Sequence, residues 1–333
     1  MQRFFDFLTQ ALESGQSACL VSLLSSAGST PRGAGAMMAV LPDGSSAGTI
    51  GGGNVEHQAQ LLAAELLRCG QDALRQYRFV QGDAHSLGMV CGGDVTVQLQ
   101  YLPAGDAQAL TVFQSLASAC ARGEDAWLVR RLRDGRAVAM LGGNAADLSA
   151  LPAALRSAQP SLLADGEETW FSIPVSRSGR VHIFGAGHVS RALAAALAPL
   201  GFHLNVYDDR PEFADPALFP SADRVALCSF DALEIPIAPE DYVVVMTRGH
   251  QADFEVLTQT LRCGARYLGC IGSRKKLALC RERLLAAGFT AEEYAAVHAP
   301  IGLPIGAQTP EEIAVSVAAE LIAVRAGVRP PRT

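Results

Sequence analysis

The sequence has few charged residues and no long hydrophobic run. Charged side chains make up 18% of its 333 residues, and the formal net charge is −6. No block of lysine and arginine stands out, which argues against a nucleic-acid partner. The longest apolar stretch, residues 192–202, is broken by Pro199 and Gly201 and is too short to cross a bilayer. We therefore expect a protein that binds neither nucleic acid nor membrane.

Paired and clustered cysteines are also lacking. The eight cysteines are scattered, with no CxxC pair and no grouping with histidine. This pattern argues against a disulfide framework and a structural zinc site, and it favours a reducing compartment. Residues 1–15 are typical of an amphipathic helix and lack the apolar core and cleavage site of a signal peptide. We therefore predict a cytoplasmic protein.

The chain has enough apolar residues, 49%, and enough length for two domains with buried cores. Residues 1–141 contain helical and alternating segments in an α+β order. Residues 142–178 are rich in Gly, Ala, Ser and Pro, which predicts a connecting segment. Residues 179–333 change to strands separated by helical segments. The predicted class is α/β, with a C-terminal Rossmann-like doubly wound parallel sheet and an N-terminal α+β domain.

The last helix carries clear start and stop signals. Thr309 is the predicted N-cap, Pro310 occupies the first helical position, and Glu312 completes a capping box. Gly327 then marks the stop.

A dinucleotide-binding fingerprint opens the second half. "GAGHVS" places Gly185 and Gly187 between a predicted strand and a helix, with Ser190 at the third glycine position. Asp208 and Asp209 end the next strand, at the spacing expected of a ribose-binding carboxylate. Glycines let a diphosphate approach the backbone, and helix N–H groups hold its charge. The pattern predicts a nucleotide site.

Polar residues follow the later strands of this half, where ligands of such sheets bind. We expect these residues to gather at one edge and to suit a phosphate-bearing ligand, although a solvated basic face and ordinary surface histidines remain the alternatives. The candidates are His188, Arg248, Gly249, His250, Ser273, Arg274 and Lys275.

Three glycine-rich loops occupy the first half, at residues 27–35, 48–56 and 88–93. Such loops form anion-binding nests of N–H groups, and Arg32 adds a bidentate phosphate donor. The alternative is that each glycine serves a turn that needs positive φ. Three loops together favour a ligand. The candidate ligand-binding residues are Arg32, Gly51, Gly52, Gly53, Asn54, Gly92 and Gly93.

Several motifs together resemble the XdhC/CoxI family, the maturation factors of xanthine dehydrogenase and related molybdenum hydroxylases. They include "GSTPRGAGAMM", "GTIGGGNVE", "GMVCGG", "IFGAGHVSRAL", "TRGHQAD" and "IGLPIGAQTPEEIAVSVAAELIA", in order from about residue 25 to 326. The resemblance implies a protein that binds the molybdenum cofactor (molybdopterin). It further implies support of cofactor sulfuration, with a cysteine desulfurase as sulfur source, and delivery to the apo-hydroxylase.

The resemblance also assigns a role to Cys91. By motif it is the family's cysteine implicated in cofactor binding, as a catalytic group and metal contact. A soft thiolate suits a metal–sulfur centre. Some members carry two adjacent cysteines there, whereas this chain has Val90 before Cys91. The alternative is a structural cysteine packed before the next strand.

The sequence leaves three functions open. The first is a cofactor carrier rather than a turnover enzyme, with its ligand between the glycine loops and the Rossmann edge. The second is an NAD(P)-dependent oxidoreductase, with His250 as proton donor. The third is a binding module whose nucleotide site regulates docking. The client enzyme, a cytidine nucleotide on the cofactor and the oligomeric state also stay open, with a homodimer the commonest soluble assembly.

Overall fold

The computed structural model describes residues 1–28, 32–79, 93–176 and 179–328. It divides into two compact units, Met1–Arg177 and Ser178–Thr333. No helix among the described residues is long and apolar enough to span a bilayer.

The described residues of the first unit form two antiparallel sheets and three α-helices. The first sheet has the strand order β3-β2-β1-β5-β4 and the second β7-β6-β9-β8. The strands of the first sheet are β1 Ala18–Gly28, β2 Met37–Val40, β3 Ser46–Gly48, β4 Ala73–Phe79 and β5 Gly93–Leu102. Those of the second are β6 Ala126–Arg133, β7 Arg136–Asn144, β8 Ser161–Asp165 and β9 Glu168–Ser176. The helices are α1 Gln2–Glu13, α2 Gly53–Cys69 and α3 Ala107–Arg122.

Strand β1 is central because both of its faces are apolar. Successive strand residues point to opposite faces. Leu20 belongs to a core that includes Leu128 of the second sheet, whereas Val21 belongs to a core against Ala59 of α2. Burial of apolar area on both faces stabilises β1 at the centre of the unit.

Residues 142–176, which the composition predicts as a connection, contain the end of β7 and all of β8 and β9. Strand β9 pairs with β6 and β8, so this segment completes the second sheet. A local signal for the hairpin is present: Gly166-Glu167 stands between the strands, and Gly166 has a φ of +62°.

A five-stranded parallel sheet with helices on both faces forms the second unit, which confirms the predicted fold class. Its order is β12-β11-β10-β13-β14. The strands are β10 Arg180–Phe184, β11 His203–Asp208, β12 Arg224–Leu227, β13 Tyr242–Val245 and β14 Tyr267–Cys270. The helices are α4 His188–Leu197, α5 His250–Thr260, α6 Arg274–Ala286, α7 Ala291–Ala296 and α8 Pro310–Arg325.

The sequence predicts helical segments between all of these strands, and the structure differs at two connections. Between β11 and β12 it has a short 3-10 turn at Pro216–Leu218, and the described chain between β12 and β13 has no helix. Pro236 and Pro239 disfavour one there. Phe230 of this segment is buried against the same core as Val243, so the connection still covers the sheet.

Candidate functional site

The strand order reverses between β10 and β13, the two neighbouring strands at the centre of the sheet. Residues of α4, such as Leu193, pack into the core on one face of the sheet, and residues of α5, such as Val256, pack into the core on the other. The chain therefore leaves β10 and β13 toward opposite faces. Ligands of open parallel sheets bind beyond the carboxyl ends of the strands at such a switch point.

The two fingerprint glycines have different reasons to be glycine. Gly185 has a φ of +101°, and a Cβ there would overlap the carbonyl oxygen of Met246, so the loops after β10 and β13 meet at this point. Gly187 has a φ of −75° and open space where a Cβ would lie. Backbone strain therefore explains Gly185, whereas the room at Gly187 suits the close approach of a ligand.

Helices α4 and α5 both begin with glycine at this edge. Gly187 and Gly249 are their N-caps, no described side chain caps either helix, and each glycine faces open space. The first N–H groups of a helix have no partner within it, and they favour an anion. His188 and His250 follow these caps and are exposed.

The residue at the third fingerprint position acts inside the loop. The Ser190 hydroxyl is buried and donates to the Gly185 carbonyl oxygen at 2.5 Å. This bond ties the glycine turn to the first turn of α4.

The chain itself provides all four hydrogen bonds that the Asp208 carboxylate can accept. Its Oδ2 accepts from the Ala186 amide at 2.7 Å and from Arg210 Nη2 at 3.0 Å. Its Oδ1 accepts from the Arg210 amide at 3.0 Å and from Arg210 Nε at 2.8 Å. These bonds fill the four acceptor positions of a carboxylate, and Asp208 is 1% exposed. Asp208 thus ties the glycine loop to the end of β11.

The protonation of Asp208 follows from these contacts. Burial alone would raise its pKa, but the hydrogen bonds from Arg210 and Ala186 outweigh burial and hold the pKa below its ordinary value. The carboxylate is therefore charged at neutral pH.

Asp209 is the more accessible carboxylate at this position. Its side chain is 30% exposed and lies 3.7 Å from Arg210 Nε and 3.5 Å from Arg248 Nη2. Arg248 itself is 62% exposed. Arg210 also lies over the Phe213 ring, 3.6 Å from its centroid. The sequence signal that could have shown Arg210 and Phe213 is the run "DDRPEF".

A buried charged cluster lies after β13, and the sequence had not indicated it. Asp253 of α5 is 1% exposed, accepts a hydrogen bond from the Thr247 hydroxyl and pairs with Lys276 Nζ. Burial raises the pKa of Asp253 more than Lys276 and Thr247 lower it. The pair joins the starts of α5 and α6 and fixes the position of Lys276.

A cavity of about 500 Å³ adjoins this cluster along α6. It combines two lysines, a hydroxyl and apolar groups with one carboxylate, Glu282, so its cationic side suits the anionic end of a ligand. Its lining residues are His250, Ser273, Lys275, Lys276, Ala278, Leu279 and Glu282. Ser273 is also the N-cap of α6 and accepts from the Lys276 amide. Arg274 is exposed and does not line the cavity.

The loop at residues 48–56 of the first unit is a nest that already holds a carboxylate. Glu56 Oε2 accepts from the amides of Ile50 and Gly52, both at 3.0 Å, and from the Thr49 hydroxyl at 2.5 Å. Burial would raise the Glu56 pKa, but these bonds lower it below the ordinary value. The amide of Gly52, a predicted ligand-binding residue, thus binds the chain's own side chain, as does the amide of Ile50.

The glycines of this loop also agree with the alternative explanation, that each serves a turn that needs positive φ. Gly51, Gly52 and Gly53 have φ values of +133°, +72° and +63°. Gly52 is the N-cap of α2, and no described side chain caps that helix. The amides of Gly53 and Asn54, at its N-terminus, therefore have no side-chain acceptor among the described residues. A ligand of this loop would use these two groups.

The remaining candidates of the first unit are less defined. Arg32 is exposed in a bend, and Gly93 begins β5, where it pairs with Gly28. Cys91 and Gly92 lie outside the described residues, so their roles stay predictions. Within the residues that the structure does describe, no group of three His, Cys, Asp or Glu side chains could hold a metal ion.

Two family models match the chain. One, described as the XdhC and CoxI family, covers residues 11–78. The other, described as the XdhC Rossmann domain, covers residues 181–321.

Three curated proteins are similar in sequence. The uncharacterized protein YqeB of Escherichia coli is 28% identical, over 96% of this chain and 46% of YqeB. A Bacillus subtilis protein, named as a probable xanthine dehydrogenase subunit, is 35% identical, over 44% of this chain and 43% of its own length. The molybdenum cofactor insertion chaperone PaoD of E. coli is 27% identical, over 96% of this chain and 87% of PaoD. The chain spans about half the length of YqeB, and its match covers less than half of the B. subtilis protein.

A solved structure shares the fold over nearly the whole chain. It is a crystal structure of a protein named xanthine dehydrogenase, from Bacillus halodurans. The TM-score is 0.78 at 25% identity, over 98% of this chain and 96% of that one.

Proposed function

This chain belongs to the XdhC and CoxI family, and from that membership we propose that it is a maturation protein for a molybdenum hydroxylase. It binds the molybdenum cofactor, supports its sulfuration and delivers it to the apo-enzyme. PaoD, named as a molybdenum cofactor insertion chaperone, supports the proposal because it is similar over almost its full length.

One observation carries the proposal: two helices begin with uncapped, open glycines on either side of the switch point. The amides after Gly187 and Gly249 suit the phosphate of the cofactor or of an attached nucleotide. The neighbouring cavity adds Lys275 and Lys276 for charge and Leu279 for a flat ring system. These residues fit an anionic ligand with a heterocyclic body.

In this proposal, side chains and amides of the chain bind the cofactor and orient it. Asp208 holds the glycine loop in place, and Asp253 fixes Lys276, so the binding groups are ordered before the ligand arrives. When bound, the cofactor supplies the metal–sulfur centre that the client hydroxylase needs. Cys91 contacts that centre in this proposal, with sulfur drawn from a cysteine desulfurase.

Titration of the purified full-length chain with molybdenum cofactor, and separately with NADH, tests the proposal. We expect the pterin to bind and the loaded chain to activate an apo-hydroxylase. Gly187→Val should weaken binding, since its side chain would occupy the open space, whereas Ala195→Val, an exposed change on the same helix, should not. Tight binding of NADH with no binding of the pterin would overturn the proposal and favour the oxidoreductase.

Measuring activation of the hydroxylase distinguishes a cofactor carrier from a module that only regulates docking. A Gly187→Val variant that still carries cofactor but no longer activates its client would favour the regulatory binding module. A Cys91→Ser variant with unchanged cofactor affinity would remove the thiol from the site but leave the carrier function standing.

A further inference from the structure

A fully buried arginine lies in the apolar interior of the first unit. Arg130 of β6 is 0% exposed, and its same-face neighbours Leu128 and Leu132 belong to the core that also holds Leu20 of β1. Its Nη1 donates to Gln98 Oε1 of β5 at 2.5 Å. Arginine is seldom buried in this way without a partner for its charge.

The guanidinium lies over the Phe171 ring, 5.5 Å from its centroid, but its other edge has no hydrogen-bond partner among the described residues. Nε and Nη2 of Arg130 are buried and make no hydrogen bond with any described residue. These two nitrogens point the same way, and together they form the fork that binds the two oxygens of a carboxylate or similar anion.

More polar atoms on the same faces are also unpartnered among the described residues. They are Ser22 Oγ, Gln98 Nε2 and Gln100 Oε1. Ser22 lies directly opposite Gln98 in the β1–β5 ladder, and Gln100 lies two residues further on the same face of β5. The unpaired groups of three neighbouring strands thus stand together, and donors outnumber acceptors.

Among the described residues, no carboxylate hydrogen-bonds to the unpaired atoms of this cluster. Asp72 acts on Arg130 through space. Its two oxygens, however, accept the amides of Tyr101 at 2.8 Å and Ala137 at 2.9 Å. Each buried polar atom left unpaired costs free energy, so an occupant that bonds these atoms would stabilise the fold.

We propose that Arg130, Gln98 and Ser22 form an internal site for a small monovalent oxyanion of the carboxylate or nitrate class. Such an ion accepts from both nitrogens of the open fork and from the Gln98 amide. It also balances the buried charge. Water accepts from the same donors, but it leaves the charge of Arg130 unbalanced.

Anion release from the full-length chain tests the site directly. The protein is refolded from urea in sodium formate, passed into formate-free buffer, unfolded again, and the released formate is measured by ion chromatography. We expect wild type to release a stoichiometric amount and Arg130→Met to release none. Arg131→Met is the matched control, because Arg131 is the next residue of β6, is 39% exposed and pairs with Glu168. It should release as much as wild type.

Stability gives a second readout that does not depend on the Arg130 variant folding. At constant ionic strength and saturating formate, each tenfold rise in formate should raise the folding equilibrium constant of wild type and Arg131→Met about tenfold. Wild type that releases no formate, and whose urea midpoint ignores both formate and nitrate, would overturn the site and leave water as the occupant.

Discussion

Asp208→Asn tests whether this carboxylate organises the glycine loop of the second unit. The substitution keeps the size of the side chain, but it removes the charge and points an NH2 group at donors from Arg210 and Ala186. Removing one partner of a buried, hydrogen-bonded charge pair costs about 3–5 kcal/mol. Arg210 is 20% exposed and can be hydrated, so we expect the lower end, about 3 kcal/mol.

That loss is large enough to measure by calorimetry. For a unit of this size, each kcal/mol shifts the melting temperature by about 2–4 °C, which gives roughly 6–12 °C for Asp208→Asn. Asp209→Asn is the matched control. Its carboxylate is more exposed and its guanidinium contacts are 3.5 and 3.7 Å, so its removal should cost at most about 1 kcal/mol. Equal losses in the two variants would refute the role given to Asp208.

Three further predictions concern the glycine loops and the carboxyl groups. Gly185→Ala should destabilise the protein by more than about 1 kcal/mol, because of its positive φ and its overlap with the next loop, whereas Gly187→Ala should change stability by less than that in urea unfolding. Glu56→Ala frees the amides of Ile50 and Gly52, so inorganic phosphate should raise the melting temperature of this variant more than that of wild type. Burial raises the pKa of Glu320, but bonds from His298, Tyr267 and Gly302 hold it below the ordinary value. The stabilisation that the Glu320 carboxylate gives the fold is therefore present above its unfolded pKa, about 4.3, and is lost as the pH falls through its folded pKa. In urea titrations at different pH values, Glu320→Gln should therefore reduce the loss of unfolding free energy between neutral and acidic pH.

Regular local patterns made the second unit predictable. The strand and helix periods indicate a parallel sheet, and the capping box of α8 is present as expected: Thr309 accepts from the Glu312 amide at 3.2 Å, and Glu312 accepts from the Thr309 amide at 3.1 Å. Helix ends are set by residues within one turn of each other. Such signals can be read without knowledge of the rest of the fold.

The second sheet of the first unit was harder to predict because its edge strand buries little. Strand β8 is largely exposed and so lacks the apolar alternation of a half-buried strand. Trp127 Nε1 donates to the Ser157 carbonyl oxygen at 2.8 Å, which fixes the loop before β8. That contact joins residues 30 positions apart, and no local pattern reports it.

The sequence predicted where the residues of the candidate site lie better than it predicted what each of them contacts. Gly187 and His250 lie at the expected edge of the sheet. The pair of Asp253 and Lys276, however, joins two helices across a strand. A buried acid inside an otherwise ordinary amphipathic helix has no sequence signature until its partner is known.

Carboxylates of the chain itself change what a glycine-rich loop can bind. Glu56 takes the amides of Ile50 and Gly52, and Asp208 takes the amide of Ala186. In each loop the glycines create the nest, and an acid of the chain fills part of it and fixes its shape. A ligand is then left with the amides at the start of the following helix, where the helix dipole adds to their attraction for an anion. Counting glycines therefore overstates the number of donors for a ligand phosphate, whereas the uncapped starts of α2, α4 and α5 mark where such donors remain.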